Sequence, residues 1–389
     1  MKLKNKKGFT LIELLAVIVV LAIIALIATP IVMNTIKNAK KGAAERSADN
    51  YIKQVETTIA EKKLENNPLA DGPYTIDSNG NLTGNGLTES VTIDMNGTKP
   101  KSGTVTISNG TVSKDGTKLV VGDYNVKYKE DKLTASEPYK GVLCKANTTK
   151  STALVWTGTA DPQVESSYTE QEVGLLASEA TSKYDVGVTY TCDLGDSEDS
   201  KNLIFYVLET SGDNVSLIMN ANVDSNGKAI TSNNIPTDRG YIDWISMEDY
   251  LAAGGTIDDW NVTCLGICGN INLGPITANK ILKERTSTWT KLDEDQIILP
   301  TGQQIASAGG DTKWNVSTQG SGFRSAKWLY SYTSFASKLP MGYWTSSPDV
   351  SNASYAWYVG FEGKMYKAVV GGPSVGVRPV ITVSKSNLS

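Results

Sequence analysis

The sequence predicts an α+β protein: a long hydrophobic N-terminal helix, a β-meander head and a larger C-terminal domain of mixed helices and strands. Three observations carry this expectation. Residues 9–28 read FTLIELLAVIVVLAIIALIA, an apolar run broken by a single charge. Residues 74–135 are short Thr/Val/Ile alternations punctuated by Asn-Gly or Asp-Gly. All eight tryptophans and all four cysteines then fall within residues 137–389. Such a rise in large aromatics marks a separate core, because each buries about 150–250 Å². At roughly 100–200 residues per domain, 389 residues are expected to make two or three folded units.

Composition narrows the function. The formal charge is −4 and there is no histidine. Without His the chain cannot build Ser-His-Asp or Cys-His nucleophile pairs or an HExxH zinc site, and it lacks the usual general base near neutral pH. An enzyme would have to work through carboxylates, Lys, Tyr or Cys, and no convergent constellation of these is evident. No catalytic residue, cofactor or metal is therefore assigned. The chain is also not basic enough to advertise nucleic-acid binding.

The first element is a lysine cluster, Lys2, Lys4, Lys6 and Lys7, followed by Gly8. The twenty apolar residues behind it suffice for a bilayer core of about 30 Å at 1.5 Å rise per residue. The lysines place the N-terminal side in the cytoplasm, so the rest of the chain is expected to face outward. Residues 9–29 are read as the membrane-spanning part of the helix. Glu13 is the exception within it, and a carboxylate in an apolar span costs about 2.5–3.5 kcal/mol, which points to a functional partner. Beyond Pro30, the residues Val32, Ile36, Ala39, Ala43, Ala48, Ile52, Val55 and Ile59 recur every three or four places. That spacing predicts an amphipathic helix over residues 30–65 that packs on a globular head.

The stretch KKGFTLIELL closely resembles the class III leader of type IV prepilins and related pseudopilins. The resemblance implies cleavage between Gly8 and Phe9 by a membrane-embedded prepilin peptidase, removing a leader of residues 1–8, and methylation of the new amine on Phe9. It also makes Glu13 and Pro30 subunit-assembly residues. The Glu13 carboxylate would pair with the Phe9 ammonium of a neighbouring subunit, since two charges that are each expensive in lipid largely offset when paired. Pro30 removes one backbone hydrogen bond and is expected to kink or interrupt the helix. Losing the leader removes four lysines and moves the formal charge from −4 to −8.

NNPLADGP ends the helix with two prolines and a glycine. In the meander that follows, Asn79-Gly80, Asn85-Gly86, Asn96-Gly97, Asn109-Gly110 and Asp115-Gly116 are read as hairpin turns, because both central positions of a two-residue turn need positive φ. With the helix, residues 74–135 would make a pilin-type head.

In residues 137–389 the spacing predicts strand, turn and strand over 186–208, helices over 246–253 and 274–285, and strands over 356–361 and 376–383. The motifs GYWTSSP (residues 342–348), AWYVGF (356–361) and GVRPVITVSKS (376–386) resemble the C-terminal half of the C-type-lectin-like fold of sulfatase-modifying-factor-like bacterial surface domains. In that fold the tryptophans and the Arg of the VRP element are mostly architectural, so Arg378 is read as a buried residue holding loops through its five donors.

Four cysteines in an exported chain fit two disulfides. Three pairings exist on paper. Cys264 and Cys268 in CLGIC suit a local bridge, and Cys144 and Cys192 would then tie the start of the domain to its first hairpin. The run Asn222-Val-Asp224-Ser-Asn226-Gly227 imitates half an EF-hand loop but has Asn233 where the closing carboxylate belongs, so it is read as a turn. The acidic loop DLGDSED (residues 193–199) is likewise read as a solvated turn. LPTG (residues 299–302) is not read as a sortase signal.

These observations and resemblances imply a type IV pilus or pilus-like subunit, minor or at the tip, that displays a large extracellular domain for adhesion to a glycan or surface ligand. Its expected partners are the prepilin peptidase, other pilin subunits and the cytoplasmic membrane. It would be a membrane precursor before assembly and lie at the cell surface afterwards. A pseudopilin of a secretion or DNA-uptake machine shares the same N-terminus, and a surface-tethered enzyme of the sulfatase-modifying-factor-like class is the remaining alternative.

Overall fold

The computed structural model describes residues 11–129, 131–158, 165–231, 240–262, 268–320, 322–331, 342–372 and 375–389. The chain divides into two compact units, Met1–Pro138 and Tyr139–Ser389.

In the first unit a single helix, α1 (Leu11–Leu64), runs through Pro30 without a break. Its C-terminal portion packs on a six-stranded antiparallel sheet formed by β1 (Gly72–Ile76), β2 (Leu82–Thr83), β3 (Ser102–Ser108), β4 (Thr111–Val121), β5 (Tyr124–Lys129) and β6 (Lys132–Ser136), in the order β2-β1-β3-β4-β5-β6. The shared core holds Ala44, Ala48, Tyr51, Ile52, Val55 and Ile59 from the helix. From the sheet side come Tyr74, Ile76, Leu82, Val105, Ile107, Leu119, Val121 and Val126. The buried Tyr51 hydroxyl donates to the Gly80 carbonyl at 2.9 Å. Burial first, and Asp77 second, push that hydroxyl well above its ordinary value, so it remains a donor.

Two expectations need correction here. Val32, Ile36, Ala39 and Ala43 do not pack on the head; all four are exposed. The helix buries Ala44 and Tyr51 instead. At 100° per residue, the exposed stripe lies roughly 140° around the helix from the stripe that meets the sheet. The spacing of the upper stripe is helical, but its phase differs from that of the lower one.

The second correction concerns the turns. Asn109-Gly110 is the tight turn between β3 and β4: both residues have positive φ and Ser108 pairs with Thr111. Asp115-Gly116 instead lies inside β4, where the register with β3 shifts between Thr104 and Thr106. The extra residues form a bulge there, and Gly116 takes its positive φ. The next connection, between β4 and β5, is made at Gly122 and Asp123.

The second unit is built on β7 (Cys144–Ala146), β8 (Ser151–Trp156), β9 (Tyr168–Val173), β10 (Thr189–Cys192), β11 (Leu203–Ser211), β12 (Asn214–Met219), α2 (Met247–Ala252), α3 (Ile276–Arg285), β13 (Ile297–Ile298), α4 (Gly302–Gly309), β14 (Gly342–Pro348), β15 (Tyr355–Gly360), β16 (Lys364–Val369) and β17 (Val380–Ser384). The main sheet has the order β13-β17-β12-β11-β10-β7; β14-β15-β16 form a second sheet and β8-β9 a hairpin.

The main sheet is covered on both faces. Phe205, Val207, Leu217, Met219 and Ile381 join one core with Trp244, Tyr250 and Trp289. Tyr206, Leu208, Ile218 and Val380 join another with Trp314, Trp328, Tyr343 and Trp357. That is why β11 reads LIFYVL without polar alternation.

The disulfide Cys144–Cys192 joins residues directly opposite each other on β7 and β10. Cys268 is also disulfide-bonded; the expected partner, Cys264, lies outside the described residues. Closing a loop of 48 residues restricts the unfolded chain by about 4 kcal/mol in the chain-entropy treatment. Replacing both Cys144 and Cys192 by Ser should therefore lower stability by about that amount, measured by urea unfolding. An unchanged midpoint would show that the bridge contributes nothing to folding.

Candidate functional site

The residues expected to carry assembly begin at the N-terminus. Gly8 and Phe9 lie outside the described residues, while Glu13 and Pro30 are helical positions of α1 whose side chains are outside them. Among the described residues no helix is long and apolar enough to cross a membrane, and most side chains of the expected span at residues 9–29 are not among them. Below this segment the described side chains of α1 make a definite surface. Val32 and Ile36 are 54% and 50% exposed, one turn apart, with Ala39 and Ala43 continuing the row.

The helix is tied to its head alongside this row, at Lys37, and again just past it, at Glu45. The Tyr124 hydroxyl faces the Lys37 carbonyl at 3.4 Å and Glu137 at 3.3 Å, and Lys37 Nζ pairs with Glu137 at 2.9 Å. The hydrogen bond that Lys37 donates to the Glu137 carboxylate, ahead of that carboxylate's charge, raises the Lys37 ammonium pKa, keeping it charged. Farther down, a Glu45 carboxylate oxygen accepts from the Ala135 N–H at 3.0 Å. These ties hold the apolar row on the side of α1 away from the sheet.

In the second unit, Arg378 and the acidic turns are engaged by the surrounding structure. Arg378 is 1% exposed. Its Nε donates to the Met219 carbonyl, Nη1 to Leu329 at 2.7 Å and Nη2 to Trp328 at 2.7 Å, and its guanidinium lies over the Tyr343 ring. It meets no carboxylate in these bonds; it ties the end of β12 to the turn at residues 327–329. Burial pushes the Tyr343 hydroxyl up to about 12 against the opposing influence of Arg378, so it stays protonated and donates to the Leu329 carbonyl at 2.8 Å. A small cavity beside them, with room for about one water, is lined by Asn222, Ser331, Tyr343 and Arg378.

Asp224 accepts from the Asn226 and Lys228 N–H groups at 2.9 Å each, as a turn does. In the acidic loop, Asp193 accepts from Asn202 N–H, Glu198 pairs with Lys201 and Asp199 pairs with Lys228. Among the described residues, no three His, Cys, Asp or Glu side chains are arranged to hold a metal ion. LPTG is the start of α4, where Thr301 and Gln304 form a reciprocal cap. That cap was the sequence signal for a helix that periodicity does not reveal.

Residues 3–29 match the prokaryotic N-terminal methylation motif. The chain carries this motif at its N-terminus. No curated protein and no solved structure matches the chain. The matched segment contains Gly8, Phe9 and Glu13, and it runs directly into the described part of α1. It supports a type IV pilin-like or pseudopilin subunit, and it implies processing by a prepilin peptidase and assembly with other pilins.

Arg378→Met should remove the guanidinium donors of the buried Met219 and Trp328 carbonyls, at about 1–3 kcal/mol each, and leave the Leu329 carbonyl with the Tyr343 hydroxyl as its remaining donor. The expected result is a large drop in the melting temperature of the second unit. Arg378→Lys should recover little of it, because one ammonium cannot reproduce the planar fork. Wild-type melting in both variants would show that the clamp is dispensable.

Proposed function

We propose that this chain is a minor or tip subunit of a type IV pilus or pilus-like fibre, assembled through α1 and displaying its second unit outside the cell for adhesion or ligand binding. The observation that carries this reading is the continuity of the methylation motif with a helix that has two separate apolar faces. One face is used by the chain's own head. The other, carrying Val32, Ile36, Ala39 and Ala43, is exposed and suits the helices of neighbouring subunits. Glu13 and the Phe9 amine would add a charge pair to the same contact, and Pro30 would sit just above the row at Val32.

Size supports a minor or tip position. The second unit, Tyr139–Ser389, is larger than the first, and carrying it on every subunit would crowd a closely packed fibre. The motifs at residues 342–348, 356–361 and 376–386 lend the second unit its likeness to C-type-lectin-like surface domains, which suits display of a ligand-binding surface. Arg378 has its guanidinium engaged by backbone carbonyls, and this favours an architectural over a catalytic role for it.

Two measurements test the reading. Mass spectrometry of the native protein should find a chain that begins at a methylated Phe9; an intact Met1 or an unmethylated terminus would overturn the processing step. Ile36→Asp should leave the head folded, because Ile36 is half exposed and outside the head core. It should nevertheless abolish recovery of the protein in sheared surface fibres. Normal incorporation of Ile36→Asp would remove the exposed row as an assembly surface.

A further inference from the structure

We infer that the Cys144–Cys192 bridge is a load clamp, which carries tension arriving from the first unit past the edge strand and into the interior of the main sheet. The inference rests on the fibre-subunit reading only for the source of the tension. A pull transmitted along the chain from Pro138 enters the second unit at Tyr139 and reaches Cys144 five residues later.

Without a covalent stop this is a weak place to pull. β7 is an edge strand of three residues, paired to β10 through Ala146, Lys145 and Cys144. The residues just before it are held by few bonds: Tyr139 and Gly141 by one side chain, and buried Leu143 by two backbone bonds, one of them accepted from the Asp193 N–H at 2.9 Å. Asn387 Nδ2 donates to the Tyr139 and Gly141 carbonyls at 2.9 and 2.8 Å, and Leu143 N–H donates to the Asn387 carbonyl at 2.8 Å. On its other side β7 meets the chain terminus, where Ser389 N–H donates to the Cys144 carbonyl and Ala146 N–H to Ser389. Tension at Tyr139 would load these bonds one after another from the end, and each contributes only about 0.5–1.5 kcal/mol net.

The bridge changes the path. Cys144 is the first residue of β7, so tension meets the disulfide before it meets the rest of the strand. The load crosses to Cys192 and so to β10. All four residues of β10 pair with β11, itself in the middle of the sheet and buried on both faces. Both sulfurs belong to buried residues in the larger core. The segment between the two cysteines, which includes the β8-β9 hairpin, becomes a closed covalent ring outside the load path. At roughly 3.5 Å per extended residue, the 48-residue separation hides about 170 Å of chain.

The experiment is optical-tweezers unfolding of the full-length chain in detergent micelles, with one handle at exposed Lys140 and the other at exposed Gln319, so that the first unit lies outside the load. The wild type should yield at higher force than the Cys144→Ser, Cys192→Ser double variant, with full extension shorter by about 170 Å. In the variant, release of the segment behind Cys144 should come as a separate early step. Equal first-rupture forces in the two proteins would overturn the clamp.

Should the double variant fail to fold, the wild type alone decides. Moving the first handle from Lys140 to exposed Ser389 pulls on a terminus that has no covalent stop and should lower the first rupture force. A Lys140 attachment that yields at the same or lower force than Ser389 would likewise overturn the proposal. Neither comparison depends on fibre incorporation or on Phe9 methylation.

Discussion

Packing of α1 on the head sheet through Ala44, Ala48, Tyr51, Ile52, Val55 and Ile59 sets what the rest of the first unit can do. Small residues at 44 and 48 let the helix approach the sheet, and the larger Tyr51, Ile52, Val55 and Ile59 fill the space below. Once that side is buried, the row from Val32 to Ala43 must point elsewhere, because a rigid helix fixes the angle between any two of its residues. At 54 residues the helix is about 80 Å long, far more than the head can cover. Its upper part needs another environment, and the methylation motif over residues 3–29 names the kind of environment it is adapted to.

The second unit solves a different problem. Its central strands are apolar on both sides, so β11, β12 and β17 can be stabilised by burial alone, at about 1.5–3 kcal/mol for each large aliphatic or aromatic side chain. Such a sheet leaves the surrounding loops to be fixed by other means. Arg378 does this at the junction of the two sheets. It spends three donors on carbonyls from β12 and from the turn at residues 327–329, leaving those buried acceptors satisfied. Its position beside Tyr343 also fills a site that a shorter residue would leave open.

Much of this architecture can be read from the residues, and the failures have physical causes. Helices over residues 246–253 and 274–285 are seen as α2 and α3, the first with Ser246 capping the Asp249 N–H. Asn109-Gly110 gives its hairpin because both positions adopt positive φ. Asp115-Gly116 carries the same dipeptide signal, yet a glycine with positive φ serves a bulge as well as a turn, and only the pairing partner decides between them. The phase error at Ala43 and Ala44 arises because alanine is neutral between faces; the sheet decides which one is covered. Tyr51 escaped notice because a tyrosine counts as interior only when its hydroxyl finds an acceptor, here the Gly80 carbonyl from a distant loop. For the candidate site, the N-terminal motif and the loop-holding role of Arg378 were legible in contiguous strings, whereas the exposure of the upper row and the carbonyls that Arg378 meets depend on contacts between residues far apart in sequence.

The two kinds of fastening follow from where they sit. At the middle of the main sheet a strand has neighbours on both edges and a core on both faces, so non-covalent contacts are plentiful. At β7 the strand has three residues, of which Lys145 is exposed and Ala146 only partly buried. Little apolar area is available there to oppose a force that acts on the backbone, and lengthening the strand would require more sheet than the fold provides. A covalent bond needs no area. Placed at the first residue of the first strand of the second unit, it protects the position at which a pull along the chain reaches the sheet. A bridge placed later, beyond Ala146, would leave β7 in the load path and exposed to stepwise peeling.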